Sequence, residues 1–136
     1  GYKTGDVDPH GNLSPGVNRA SGHTNSKNDG FVQSHHPIQD AWAKKRINGY
    51  QRNTAPATLL KSASGSPHAN ISSAQRTRRA LPGGWDTTLK QEFHISYKEM
   101  IDAGVPKQQA RKSISDSYKY FDQLRELNSS NVYFDI

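Results

Sequence analysis

Three histidines carry the chemistry this sequence offers: the adjacent pair His35 and His36, and His68 further along the chain. A neutral imidazole accepts a proton near its ordinary pKa of about 6.5, and its ring nitrogen also binds transition-metal ions. Cleaving a phosphodiester calls for both functions. A base takes a proton from water, and a divalent cation relieves charge on the phosphate and on the leaving oxygen. In that chemistry one histidine serves as the base and the others hold the ion. An adjacent histidine pair alone is more often a surface feature, and a histidine in a first helical turn is ordinary. The elements around the three are what would gather them.

Residues 31–36 read as a short strand, ended by Pro37, which cannot donate to a ladder. Strand neighbours point to opposite faces, but Pro37 holds His36 extended or in polyproline geometry, so both imidazoles are expected at one site. Residues 38–46 read as a helix with Ile38, Trp42 and Ala41 on one side, closed at Asn48-Gly49. Residues 56–61 read as a second strand. Ser66 as N-cap and Pro67 at the first position then start a helix that runs to about Arg79 and carries His68 in its first turn. Leu81-Pro82-Gly83-Gly84 stops it. Strand, paired histidines, strand, helix with a histidine is the layout of a ββα-metal site.

The flanks are of two kinds. Residues 1–30, broken by proline and glycine, read as irregular, and their His10 and His23 as idle loop histidines, although Arg19 and His23 could reach over the site. Asp86 can cap a third long helix, with Leu89, Phe93, Tyr97, Met100 and Ile101 on one face. Gly104 ends it, and Pro106 opens another with Ala110, Ile114, Tyr118, Phe121 and Leu124 in a stripe. The two stripes pair as an antiparallel hairpin that supplies most of the core. His94 falls off the stripe and reads as a surface group, and Val132-Tyr133-Phe134 is apolar enough to dock on the hairpin. The expected fold is α+β and one domain: an irregular segment at 1–30, a ββα-metal core at 31–82, and a C-terminal helical hairpin with its tail at 83–136.

Charge names a class of partner. The net charge is +6, and the region 41–80 holds Lys44, Lys45, Arg46, Arg52, Lys61, Arg76, Arg78 and Arg79 with no acidic residue. Such a field concentrates a polyanion, so all of these except Lys61 are the expected phosphate contacts, which position substrate without reading sequence. A solvated helix end is the bland alternative for Lys44, Lys45 and Arg46. There is no cysteine, so no thiolate holds a metal, and no apolar run approaches the ~18 residues needed to span a bilayer. The chain begins at Gly1 and reads as a piece of a longer protein.

The segment Val32-Gln33-Ser34-His35-His36-Pro37-Ile38-Gln39-Asp40-Ala41-Trp42 resembles the signature of the SHH toxin family, within the HNH/endonuclease VII superfamily. Residues 53–68, ending in Ser66-Pro67-His68, are similar to that family's second block, and residues 71–75, 97–105 and 118–122 continue the likeness, which covers about residues 16–125. The resemblance implies a secreted or injected antibacterial effector, the C-terminal nuclease domain of Rhs-type or related polymorphic toxins. Such an effector acts in the cytoplasm of a competing bacterium and is neutralised in the producer by a cognate immunity protein. It implies His35 and His68 as metal ligands, His36 as general base, and Asn53, with Asn48 and Asn70 as rivals, as the motif's middle asparagine.

This sequence departs from the fuller pattern, because Ser72 and Gln75 stand where a further helical histidine would be. Two ligands plus waters suit a weakly held Mg²⁺ first, then Mn²⁺, Ni²⁺ or Zn²⁺. The expected activity is non-specific endonuclease cleavage, of DNA rather than RNA, by a monomer. A metal-independent ribonuclease using His36 and His68, and a non-catalytic nucleic-acid-binding module, are the alternatives.

Overall fold

The computed structural model describes residues 4–13, 32–61 and 65–125. Its elements, in order, are β1 (Val7–Pro9), α1 (His10–Leu13), β2 (Val32–His35), α2 (Asp40–Arg46), β3 (Pro56–Lys61), α3 (Pro67–Ala80), α4 (Leu89–Asp102) and α5 (Lys107–Leu124). The strands form one antiparallel sheet in the order β1-β3-β2. The class is α+β, as the sequence implies.

β3 is the middle strand and is covered on both sides. Ala57, Thr58, Leu59 and Leu60 are each at most 2% exposed. Alternation along the strand sends Ala57 and Leu59 to a cluster with Leu13 of α1. It sends Leu60 to Ile71 of α3, Met100 of α4 and Ala110 of α5. Thr58 points the same way as Leu60, and its buried hydroxyl donates to Ser113 Oγ of α5 at 2.7 Å.

The long helices begin and end where local chemistry directs them. Pro67 opens α3 after Ser66, whose side chain makes no capping hydrogen bond. Asp86 does not cap α4; Thr88 does, in a reciprocal capping box with Gln91. Gly104, at φ +97°, turns the chain between α4 and α5, a conformation glycine adopts without steric cost. The expected hairpin stripes hold at Leu89, Phe93, Met100, Ala110 and Phe121, all buried. Tyr118 instead stands 41% exposed, and the small residues Ser113 and Ser117 are buried on α5. On α2 Ala43, not Ala41, joins Ile38 and Trp42 inside, because residues four apart along a helix share a face and Ala43 meets Ile47 there.

Two further expectations are corrected. The segment 1–30 is not wholly irregular: β1 supplies an edge strand, paired with β3 as Val7↔Thr58, Asp8↔Ala57 and Pro9↔Pro56, and α1 follows at once. Arg78 and Arg79 do not face a polyanion. Arg79, 8% exposed, places its guanidinium on Glu92 at 2.6 and 3.1 Å, on Gln39 Oε1 and on the Gly84 carbonyl, with its carbon 4.7 Å above the Trp85 ring. Arg78 bridges Glu92 and Glu99. Glu92 is 1% exposed and also accepts from Thr87 Oγ1. A buried carboxylate needs such company, and here the network ties α3 to α4. Gly84 fits because a Cβ there would sit 2.9 Å from Arg79 Cα.

Burial alone would raise the Glu92 carboxyl, but hydrogen bonds from Arg79 and Thr87 and the charges of Arg78 and Arg79 outweigh it and hold it below the usual carboxylate range. Glu92→Gln leaves Arg79 buried without its counter-charge and is expected to cost about 3–5 kcal/mol, read as a lower urea midpoint at unchanged slope. A depressed carboxylate stabilises the fold above its unfolded pKa, and that stability is lost as pH falls through the folded value. The wild type should therefore lose stability on acidification below its ordinary 4.5. The Gln variant, already weaker, should lose less over the same window. Parallel losses in the two proteins would contradict the assignment.

Candidate active site

The register of β2 on β3 decides where the histidines go. Ser34 lies opposite Leu59, and His35 opposite Thr58. Opposed residues of an antiparallel pair share a face. Ser34 therefore belongs to the face covered by α1, and His35 to the face covered by α3 and α5. The contacts agree. His35 meets His68 of α3 with ring centroids 6.0 Å apart, edge to face. Ser34 Oγ lies 2.7 Å from His10 Nδ1 of α1. His36, just past the end of β2, follows Ser34: its ring centroid is 4.5 Å from that of His10. The two adjacent imidazoles thus take different ring partners, and His10, read from sequence as an idle loop residue, is buried at 6% exposure beside the second of them.

His35 is buried, and its Nε2 has no hydrogen-bond partner. Burial, followed by the neighbouring His68 and His36, lowers its pKa to about 3, so the ring is neutral at any physiological pH. An unsatisfied buried ring nitrogen costs about 1–3 kcal/mol. A neutral imidazole with an unpartnered nitrogen, close to a second imidazole, is the kind of donor a divalent transition-metal ion takes. His68 is half-buried, and burial lowers its pKa as well. Among the described residues no cluster of three or more histidine, aspartate or glutamate side chains gathers for an ion. Two imidazoles are one protein ligand short of the three at catalytic zinc sites, so the pair fits only an ion whose remaining positions would be taken by water and substrate.

His36 is held differently. Its Nε2 lies 3.0 Å from the Arg52 carbonyl oxygen. A carbonyl only accepts, so Nε2 carries the proton and, in the neutral ring, Nδ1 carries the lone pair. Burial lowers the pKa of this ring. The Arg52 carbonyl and Asp40 oppose the shift, the Arg52 charge adds to it, and the net direction is down. Asp40 in turn accepts from Tyr50 Oη at 2.7 Å and pairs with Lys44 at 3.3 Å.

The loop before β3 carries this support. Arg52 faces His36, while the Asn53 carbonyl accepts from Gly11 N at 2.8 Å and the Ala55 carbonyl from His10 N at 3.0 Å. The Asn53 side chain is exposed, so the structure gives this residue a hold on α1 through its backbone. Of its rivals, Asn48 is exposed after α2, and Asn70 donates to the Gly65 carbonyl at the start of α3.

The basic residues divide. Lys44, Lys45 and Arg46 line a polar groove of about 400 Å³ with Asn48 and Tyr50, and Lys45 Nζ also lies 5.8 Å from the Trp85 ring. Arg52 and Arg76 are exposed. Arg78 and Arg79 belong to the α3–α4 network. His94 is exposed, as expected. Arg19, His23 and the 132–134 tail lie outside the described residues. Sequence reasoning missed His10 and the part played by Ser34. Gly11 eases the approach of α1 to this loop, since a Cβ there would lie 3.0 Å from the Asn53 oxygen.

Searches of curated proteins and of solved structures returned no match. Residues 29–122 match the family Tox-SHH, described as an HNH/Endo VII superfamily toxin with a SHH signature. That span takes in the Ser34-His35-His36 segment, His68, α4 and α5 up to Asp122, and on it the chain belongs to the Tox-SHH family of nuclease toxins.

Proposed function

We propose that this domain is a metal-dependent, non-specific endonuclease built on a ββα-metal core of β2, β3 and α3, with DNA as its substrate. The observation that carries the reading is the contrast between consecutive histidines. His35 is buried with an unpartnered nitrogen and has the His68 ring 6.0 Å away, whereas His36 is fixed by a carbonyl with its Nδ1 as the basic atom.

In this reading His35 and His68 hold the divalent ion. When bound, the ion relieves negative charge on the scissile phosphate and on the leaving oxygen. His36, kept neutral by its burial, accepts the proton of the attacking water at Nδ1. Its Nε2–H bond to Arg52 keeps the ring in the tautomer that leaves Nδ1 free. Arg52, Arg76 and the groove of Lys44, Lys45 and Arg46 take phosphates along the strand, and Asn53 shapes the loop behind the base. The toxin family supports delivery into a target cell, where the domain acts as an antibacterial effector from a larger polymorphic toxin. A cognate immunity protein then protects the producer.

The test uses purified domain with plasmid DNA and with total RNA, under Mg²⁺, Mn²⁺, Ni²⁺ and Zn²⁺. EDTA should stop cleavage, and His36→Ala should lower its rate about 10²–10⁴-fold while the thermal midpoint stays near the wild type. Wild-type cutting by His36→Ala would remove the assigned base. RNA cleavage that survives EDTA would replace the metal reading with metal-independent ribonuclease chemistry, and binding without cleavage under all four ions would make the domain a binding module.

Phosphate contact has its own readout. Arg52→Ala should weaken DNA binding at all sequences and reduce the salt slope by about one unit. An unchanged slope would take Arg52 out of the phosphate path.

A further inference from the structure

We propose that His10 is a positioning residue for catalysis: with Ser34 it clamps the His36 ring against the Arg52 carbonyl and so fixes the direction of Nδ1. The inference rests on the reading of His36 as the base.

Three separate observations converge on it. The His10 ring lies 4.5 Å from that of His36, centroid to centroid, at an interplanar angle of 40°, so it occupies one side of the imidazole. His10 is itself held at Nδ1 by Ser34 Oγ at 2.7 Å, the first residue of the Ser-His-His segment. The backbone of α1 is pinned to the loop that supplies the Arg52 carbonyl, through His10 N to the Ala55 oxygen and Gly11 N to the Asn53 oxygen. The circuit closes on itself. Ser34 precedes His36 by two residues and holds His10, His10 packs on His36, and His36 bonds the loop on which α1 rests. A ring hydrogen-bonded at one atom still swings about its χ angles, and a misplacement of about 1 Å at a reacting group can cost 10²-fold in rate. The second contact removes that freedom. It also gives the short β1–α1 segment a function beyond closing the sheet, since pairing on β3 as far as Pro9↔Pro56 sets α1 at the right height.

The experiment measures kcat and KM for DNA cleavage by His10→Ala, Ser34→Ala, His36→Ala and the double variant His10→Ala/His36→Ala, with thermal midpoints and the imidazole NMR resonances of His36. His10→Ala should lower kcat about 10–100-fold, as loss of a supporting residue does. KM should barely change, and the His36 ring resonances should shift. Ser34→Ala should lower kcat in the same direction by less, and it carries the test if His10→Ala does not fold. The double variant should be no slower than His36→Ala alone, because a clamp has nothing to act on once the base is gone. Unchanged kcat in both His10→Ala and Ser34→Ala, or a double variant slowed by the product of the single effects, overturns the inference. A fully active His36→Ala overturns the underlying assignment of the base instead, so the two failures are told apart.

Discussion

The site depends on the alternation of side chains along β2 as it pairs with β3. β3 is buried on both faces, so a slip of one residue would drive Leu59 and Leu60 each to the wrong layer. The register is therefore locked by the core and not by the site. Once it is locked, the Ser-His-His segment has no choice of direction. Ser34 shares the α1 face with Leu59, and His35 shares the α3 face with Thr58. The histidine of α3 and the histidine of α1 then meet different members of the pair. Two imidazoles adjacent in the chain acquire different environments, one dry with a bare nitrogen, the other hydrogen-bonded to a carbonyl.

The helices hold this arrangement from behind. α3 carries His68 at its start and the Arg78–Arg79 pair at its end, and that pair grips Glu92 and Glu99 of α4. The same helix is thus fixed at its C-terminal end by charge and along its length by Ile71 in the core with Leu60 and Met100. α5 closes the other side through the Thr58–Ser113 hydrogen bond, directly beneath the strand position opposite His35. A side chain on a helix keeps its aim only if the helix does, and Arg78 and Arg79 hold the far end of α3 on α4.

Local signals in the sequence revealed what local physics controls. β3 and α3 were readable because an apolar run and a Ser-Pro start act within a few residues, and the stripes of α4 and α5 were readable from helical spacing. The start of α4 is set by the Thr88–Gln91 capping box and not by Asp86, two residues earlier. The larger misses involve partners distant in the chain. β1 has three residues and no periodicity to detect; it exists because β3 offers an edge. His10 looked idle because its partners Ser34 and His36 lie beyond residues 14–31. Arg78 and Arg79 looked like a polyanion surface because the carboxylates that claim them sit on the next helix. The family signature marked Ser34, His35 and His36 together but said nothing of their separate faces.

The central claim is that His35 and His68 form one ligand pair while His36 stands beside them as a neutral base with its proton on Nε2. Long-range ¹H–¹⁵N NMR of the imidazoles during a Zn²⁺ titration reads all three rings at once. The account predicts that one nitrogen each of His35 and His68 shifts together at a single binding event, that His36 shows the Nε2–H tautomer before and after, and that exposed His94 stays still. Independent shifts of His35 and His68, or a His36 whose proton sits on Nδ1, would contradict it.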